Sequence, residues 1–183
     1  MKRRFHVRAS ALVPFRAQSV VPISRLLLVL VLLAASACGT STAKPQASAP
    51  ANAQPCAPGD QDPHVYRPAR LQAIAPCLRV IGTVVSSSVE TDGDIHLNVR
   101  LDDAYRGLLV AGNDFENGTL VVEPVCQIPP LAADAIRVCA ADRAPIDPPG
   151  VGQHVWLEGR YVLDLQHHAW AELHPLYRWG VAP

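Results

Sequence analysis

The segments CLRVIGTVVSSSV (residues 77–89) and DIHLNVRL (residues 94–101) decide the fold of this chain. The first is rich in β-branched residues and carries Gly82 in its interior, which indicates a strand with a bulge or a coiling point. In the second, apolar residues alternate with polar ones, the pattern of a strand with one buried face. Asp92 and Gly93, a frequent turn pair, lie between them, so the segments predict consecutive strands joined by a tight turn.

Three further segments have strand character: residues 119–123, 154–161 and 169–176. A helical turn is expected around residues 104–109 and a short helix over residues 131–141. This order of elements predicts an all-β fold, a small five-stranded OB-like (oligonucleotide/oligosaccharide-binding) barrel with one or two short helices. A small β-sandwich is the alternative, because periodicity does not separate the two architectures.

Five short motifs carry a resemblance to a known group of domains; they are Gly82–Val84, Asp92–His96, Val121–Glu123, Gly152–Asp164 and His168–Pro175. Together they resemble uncharacterised bacterial exported domains that end in a Trp-x-Glu-Ile/Leu-His-Pro signature, here at residues 170–175. The resemblance covers about residues 70–176. It implies an OB-like fold and no established activity. Ala169 stands where the group usually has glycine.

The first 37 residues have the organisation of a signal peptide. Six basic residues and no acidic one precede Cys38, and the apolar stretch over residues 26–37 is shorter than the roughly 20 residues of a membrane-spanning helix. Residues 35–38 resemble the bacterial lipobox, which implies acylation of Cys38 and attachment to the cell membrane. The lipobox prefers leucine where this chain has Ala35, so ordinary secretory cleavage is one alternative and a permanent anchor helix is another.

Removal of the leader changes the charge of the chain. The whole sequence holds 16 basic and 16 acidic residues, and loss of the six leader bases leaves 10 against 16, a formal charge of −6. Nucleic-acid binding is therefore not expected, since it normally needs a basic patch. Residues 38–63, the lipidated cysteine and an Ala/Pro/Ser-rich linker, lack large apolar residues and predict a flexible tether. Residues 64–183 form the predicted β domain.

Four cysteines follow Cys38, namely Cys56, Cys77, Cys126 and Cys139. An even number in an exported chain predicts two disulfides, and of the possible connectivities we expect the sequential one, Cys56–Cys77 and Cys126–Cys139. The first bond would fix the end of the tether to the domain, and the second would close a Pro-rich connection. A metal site is the alternative reading, but no Cys-x-x-Cys is present and the spacings match no zinc pattern.

Polar residues occur in pairs on two of the predicted strands. Asp94 and His96 lie two residues apart on the second strand and so share a face. Glu172 and His174 repeat this arrangement on the fifth strand, next to Trp170. The turns at residues 91–94 and 164–169 flank the cleft of an OB barrel. The candidate ligand-binding residues are Asp92, Asp94, His96, Tyr161, His167, His168, Trp170, Glu172 and His174.

These residues have three interpretations. They could bind a divalent metal, since imidazole and carboxylate suit zinc and similar ions. They could line a cleft for a sugar or another extracellular ligand, with Trp170 or Tyr161 as a stacking surface. They could instead be structural, each histidine holding a strand end. A third strand separates the second from the fifth in an OB barrel, so the two pairs need not meet. We therefore predict no metal site and no cofactor, with His174 structural and His96 near the cleft mouth.

Three classes of function follow from these features. The first is a cell-envelope lipoprotein with a disulfide-bonded binding or scaffolding module, held to the membrane by its lipid and partnered by an unknown envelope ligand or protein. The second is a metal-dependent hydrolase of the envelope, and the third is a nucleic-acid-binding OB domain. The sequence contains no Gly-x-Ser-x-Gly, His-Glu-x-x-His, phosphate-loop or dinucleotide motif, so an enzyme is not expected.

Overall fold

The computed structural model describes residues 54–140 and 145–183, and the strands in these ranges form one sheet. The strands are β1 (Gln54–Pro55), β2 (Leu71–Val89), β3 (Ile95–Leu101), β4 (Leu120–Val122), β5 (His154–Asp164) and β6 (Trp170–Val181). The helices are short: α1 (Ile136–Ala140) and 3-10 segments at Asp62–His64, Pro68–Arg70, Asp103–Leu108 and Ala111–Glu116. The predicted all-β fold class is confirmed. No helix within these ranges combines the length and the apolar character needed to cross a membrane.

Strands β2 to β6 follow one another round a ring. β2 pairs with β3, β3 with β4, β4 with β6, β6 with β5, and β5 returns to β2. All of these pairings are antiparallel except β4–β6, which is parallel. The five predicted strands correspond to β2–β6, and their order round the ring agrees with an OB-like barrel. Each main strand therefore has a neighbour on both sides, which protects its backbone groups from pairing with another chain.

The length of β2 allows it to pair with two neighbours. Residues 71–83 pair with β5, and residues 82–89 pair with β3. Gly82 lies where the two pairings overlap, and a Cβ there would approach the carbonyl oxygen of Arg100 to 2.6 Å. Glycine is thus needed at this point because the backbones come so close. The register of β2 against β3 then shifts between Val84 and Ser86, two residues beyond the glycine.

Aliphatic side chains from all five main strands fill the interior of the barrel. Leu97, Val99 and Leu101 of β3 are buried, as their alternation predicts. The other buried members of this core include Leu78, Val80, Val84, Leu120, Val122, Val155, Leu157, Leu173 and Leu176. Because each fully buried aliphatic side chain contributes about 1.5–3 kcal/mol, this core is the main driving force for folding.

Two disulfides tie the connecting segments to the barrel. Cys56 is bonded to Cys77 and Cys126 to Cys139, which confirms the predicted pairing. β1 lies next to Cys56 and pairs with β2, so the described fold begins inside the segment predicted as a linker. Disulfides persist in oxidising compartments, which indicates a non-cytoplasmic setting. The predicted signal peptide and Cys38 lie outside the described residues.

Candidate functional site

A concave polar pocket of about 330 Å³ lies beside β3. It occupies the place of the predicted OB cleft, between the β2–β3 turn and the β5–β6 turn. Its lining residues are Arg70, Ser88, Glu90, Asp92, His96, Asn98, Glu116, Glu123, His167 and Trp170. Four of these side chains are carboxylates and one is a guanidinium, so the pocket has a negative formal charge.

His96 lies at the centre of the pocket, on the face of β3 opposite the core. Its Nε2 is 3.4 Å from Oε2 of Glu116, and its Nδ1 is 3.4 Å from Oε1 of Glu123. Its side chain is 12% exposed, so solvent and ligands can reach it. Burial opposes the charge on this imidazole, but the hydrogen bond and charge of Glu123 and the charge of Glu116 outweigh burial and raise the pKa of His96.

Trp170 and two histidines form an aromatic wall of the pocket. The ring of His167 stacks on Trp170 at 5.0 Å, and His96 meets the same indole edge-on at 6.0 Å. Nε1 of Trp170 donates to Oε2 of Glu172 at 2.7 Å, which fixes the indole. The preceding turn contains Ala169 at a φ of 53°, a left-handed conformation that glycine adopts more readily.

A buried cluster of charges lies behind the pocket. Arg70 forms an ion pair with Asp164, and its guanidinium is 3.7 Å from Oε2 of Glu123 and 3.9 Å from Oε1 of Glu172. Asp164 and Glu172 are fully buried, and the Arg70 side chain is 8% exposed. A buried carboxylate without a partner is costly, and the guanidinium of Arg70 lies close to three of them.

His174 is the second positive group of this cluster. Its Nδ1 is 2.6 Å from Oε2 of Glu123 and 3.1 Å from Oε1 of Glu172. Burial disfavours the charged imidazole, but the charges and hydrogen bonds of these two carboxylates outweigh it and raise the pKa of His174 to about 10. The pKa of Glu123 shifts in the opposite direction. Burial would raise it, but the contacts with His174, His96 and Arg70 hold it well below the usual range.

Asp94 completes the cluster from the turn before β3. Its Oδ1 accepts a hydrogen bond from the backbone N–H of Cys126 at 2.6 Å. Its Oδ2 lies 3.9 Å from Nε2 of His174. Burial raises the pKa of Asp94 to about 7, although the charge of His174 and the hydrogen bond from Cys126 act to lower it.

The nine candidate residues from the sequence fall into three groups: four line the pocket, three lie buried behind it and two lie away from it. Asp92, His96, His167 and Trp170 line the pocket. The carboxylates and imidazole of Asp94, Glu172 and His174 lie buried behind it.

Tyr161 and His168 lie away from the pocket. Tyr161 is buried in the barrel core, where its hydroxyl donates to the carbonyl oxygen of Leu108 at 2.6 Å. The interpretation of Tyr161 as a stacking surface for a ligand is therefore wrong. His168 stacks on Phe115 at 3.6 Å, outside the residues that line the pocket.

The two polar pairs meet, contrary to the expectation that a third strand keeps them apart. The intervening strand β4 ends at Val122, and Cys126 takes a φ of 53° where the chain leaves the sheet. Asp94 and His174 can therefore face each other beyond the end of β4. Glu123, directly after β4, lies between the two pairs and contacts both His96 and His174.

Three residues outside the nine candidates are central to the site: Arg70, Glu116 and Glu123. Arg70 ends a 3-10 turn before β2, and Glu116 ends another before β4. No local pattern marks either residue as part of a site. Glu123 is different, since its position between a short strand and Pro124 indicates a strand end, where polar side chains often converge.

Within residues 54–140 and 145–183, two groups of side chains have metal-ligand spacing. One is Asp94, Glu123 and His174, and the other is Asp94 with Cys126 and Cys139. The two sulfur atoms of the second group are bonded to each other, so they are not thiolate ligands. The first group retains all of its donor atoms.

Comparison of the chain with protein-family models, with curated proteins and with solved structures finds no match. The pocket combines carboxylates, a titratable imidazole and an indole at its surface, a set of groups suited to binding a positively charged molecule.

Proposed function

We propose that this chain is an extracytoplasmic lipoprotein whose OB-like domain binds a small cationic ligand in the pocket beside β3. The observation that carries the proposal is the charge of the lining: Glu90, Asp92, Glu116 and Glu123 face one guanidinium. That guanidinium belongs to Arg70, which is already paired with buried Asp164. The carboxylates of the lining therefore attract a cation from solution, and the concave shape strengthens the local field.

The indole of Trp170 supports the same class of ligand. An ammonium group against an aromatic ring gains about 0.5–2 kcal/mol, more when it is desolvated. Asn98 adds a directional contact, because its Nδ2 donates to Oε2 of Glu116 at 2.8 Å and to Oγ1 of Thr119 at 3.0 Å. These bonds hold the Glu116 carboxylate in place before a ligand arrives, which lowers the entropic cost of binding.

The predicted leader and Cys38 support the lipid anchor, and the two disulfides agree with export. An acidic pocket also disfavours the phosphate backbone of nucleic acids, in keeping with the formal charge of −6 outside the leader. The domain would thus present a cation-binding pocket at the outer side of the membrane.

The proposal is tested by calorimetry of the purified protein against a panel of probes: choline, spermidine and lysine methyl ester as cations, with a neutral disaccharide and inorganic phosphate for comparison. We expect binding of at least one cation, weakened by added salt because the charges are at the surface. Glu116→Gln should weaken this binding by about tenfold, since it removes one charged partner worth about 1.5 kcal/mol.

The matched control for Glu116→Gln is Asp103→Asn. Asp103 is an acidic residue whose side chain is 90% exposed and paired with Arg106, outside the pocket. This change should leave the affinity for the cation unaltered. Binding of the sugar or of phosphate in place of the cations would contradict the proposal, and so would equal affinity of wild type and Glu116→Gln.

A further inference from the structure

We propose that the ligand of the acidic pocket is a short extended peptide whose amino end lies in that pocket and whose carboxylate end lies on Arg100. This inference rests on the proposed function, in which the pocket beside β3 binds a positively charged group. It adds a second cavity, of about 520 Å³, which lies further along the same strand and includes Arg100 in its lining.

The two cavities lie along one face of β3. His96 and Asn98 line the acidic pocket, and Arg100 lines the second cavity. These three residues alternate with the buried Leu97 and Val99. Because successive side chains of a strand point to opposite faces, the three lie on the face of β3 opposite the core. One ligand that follows this face therefore meets both cavities.

A hydrogen bond joins the walls of the two cavities. Nδ2 of Asn98, which lines the acidic pocket, donates to Oγ1 of Thr119, which lines the second cavity, at 3.0 Å. The same nitrogen donates to Oε2 of Glu116 at 2.8 Å. The two cavities are thus neighbours, and polar side chains lie between them. Such a boundary suits the polar backbone of a peptide better than it suits a hydrocarbon chain.

The second cavity has the opposite charge to the first. Arg100 and Arg106 line it, and no acidic residue does. Arg106 pairs with Asp103 at 2.9 Å, and the nearby Asp102 contacts His154. Arg100 is exposed and forms no ion pair within residues 54–140 and 145–183. A guanidinium matches the geometry of a carboxylate, so Arg100 offers a site for the anionic end of a ligand.

Apolar side chains beside Arg100 indicate what accompanies the carboxylate. Val85, Leu101 and Leu109 contribute to the lining of the second cavity. An apolar group next to the carboxylate would gain from burial against them. The last residue of a peptide combines a carboxylate with a side chain, and leucine in that position meets both requirements.

The spacing of the two cavities sets the length of the peptide. His96 and Arg100 are four residues apart on β3, a distance of about 13 Å at the rise of a strand. An extended chain spans about 3.3–3.6 Å per residue, so a peptide of about four residues joins the two positions. Two contacts made by one molecule reinforce each other, since the second forms without a further loss of translational freedom.

The test is calorimetry of the full-length protein with three probes: the tetrapeptide Ala-Ala-Ala-Leu with free ends, its carboxy-terminal amide, and spermidine. Wild type should bind the free acid about tenfold more tightly than the amide, which lacks the charged partner of Arg100. Arg100→Gln should remove this difference between acid and amide. Its affinity for spermidine should stay within about twofold of wild type, because salt screens charges about 13 Å apart.

The matched control is Arg67→Gln, which removes a guanidinium that is 62% exposed, pairs with Asp134 and lies outside both cavities. This variant should keep the preference for the free acid. If wild type binds spermidine but binds acid and amide equally, the extended peptide is wrong and the cation pocket stands. A preference for the acid that survives Arg100→Gln would overturn the role of Arg100. If neither spermidine nor the tetrapeptide binds, the proposed function fails as well.

Discussion

His96 and His174 each follow a carboxylate by two residues on a strand, yet they lie in different surroundings. His96 is in the pocket, with its side chain 12% exposed between Glu116 and Glu123. His174 is fully buried between Glu123 and Glu172. Electrostatic interactions are weakened by water and strengthened by burial. The same Asp/Glu-x-His pattern therefore places one imidazole within reach of solvent and the other in a buried ion-pair cluster, and we propose binding for the first and stability for the second.

The largest expected effect is that of His174→Ala. The substitution leaves Glu123 and Glu172 buried without the imidazole that contacts both of them. Removal of one partner from a buried ion pair typically costs about 3–5 kcal/mol, and we expect a loss of this size in chemical denaturation. A cost below about 1 kcal/mol, within the range of ordinary surface substitutions, would remove the distinction between the two histidines.

The pH dependence of stability gives a second test of the buried side. The folded-state pKa of His174 is raised from 6.5 to about 10, so its contribution is complete below about pH 6.5 and is lost as the pH rises towards 10. The pKa of Asp94 is raised from 3.8 to about 7, so the folded state also binds this proton more tightly than the unfolded state does. The stability that this proton provides is lost as the pH rises from 3.8 towards 7.

Both shifts predict a melting temperature that falls on the alkaline side. Asp94→Asn is the matched variant, because it removes the component below pH 7 and leaves the component of His174. Glu123 acts in the opposite direction: its pKa is lowered, so its contribution is lost on acidification. A melting temperature that rises steadily from pH 6 to pH 9 would contradict the assignment of charge to His174.

The two disulfides provide a third comparison, with smaller effects. Each closes a loop, of 21 residues for Cys56–Cys77 and 13 for Cys126–Cys139, and removal of either should cost about 3 kcal/mol. Only the Cys126–Cys139 bond lies beside the site, because the N–H of Cys126 holds Asp94.

We expect the double serine variant at Cys126 and Cys139 to weaken binding of the cationic probe as well as stability. The double serine variant at Cys56 and Cys77 should lower stability alone. The measurement is calorimetry of both variants below their melting temperatures. Equal affinities in the two variants would show that cation binding in the pocket does not depend on the Cys126–Cys139 bond.

The smallest effect on stability is expected for His96→Ala, at about 1 kcal/mol or less. Glu123 keeps His174 and Arg70 as partners when His96 is removed, so no buried charge is left alone. The variant should nevertheless weaken binding of the cationic probe, because His96 contacts two of the four pocket carboxylates, Glu116 and Glu123. Unfolding curves and calorimetry on one preparation separate these effects, and a loss of stability equal to that of His174→Ala would contradict them.

The local patterns of the sequence were sufficient to predict the strands but not the full extent of two of them. The alternation at residues 94–101 predicts the buried Leu97, Val99 and Leu101 of β3. In contrast, β2 begins at Leu71, six residues before the predicted start, and β6 continues to Val181. These extensions depend on pairing with β5 rather than on alternation, and pairing is not visible in a single segment.

The candidate site shows the same limit of local reasoning. Spacing along a strand correctly placed Glu172 and His174 on one face, since that relation is set by the two-residue repeat of a strand. Spacing could not find Arg70, which directly precedes β2 and pairs with Asp164 at the end of the neighbouring strand β5, nor the meeting of Asp94 with His174. Tyr161 was misplaced because an aromatic residue on a strand suits a core and a binding surface equally well.

The most direct test of the account is nuclear magnetic resonance of the two imidazoles during a titration with spermidine. We propose that the pocket binds the cation and that the buried cluster supports the pocket. The ring signals of His96 should therefore shift and saturate with the ligand, while those of His174 stay nearly constant. If the signals of His174 shift and those of His96 do not, the roles of the pocket and the buried cluster are reversed, and the account is contradicted.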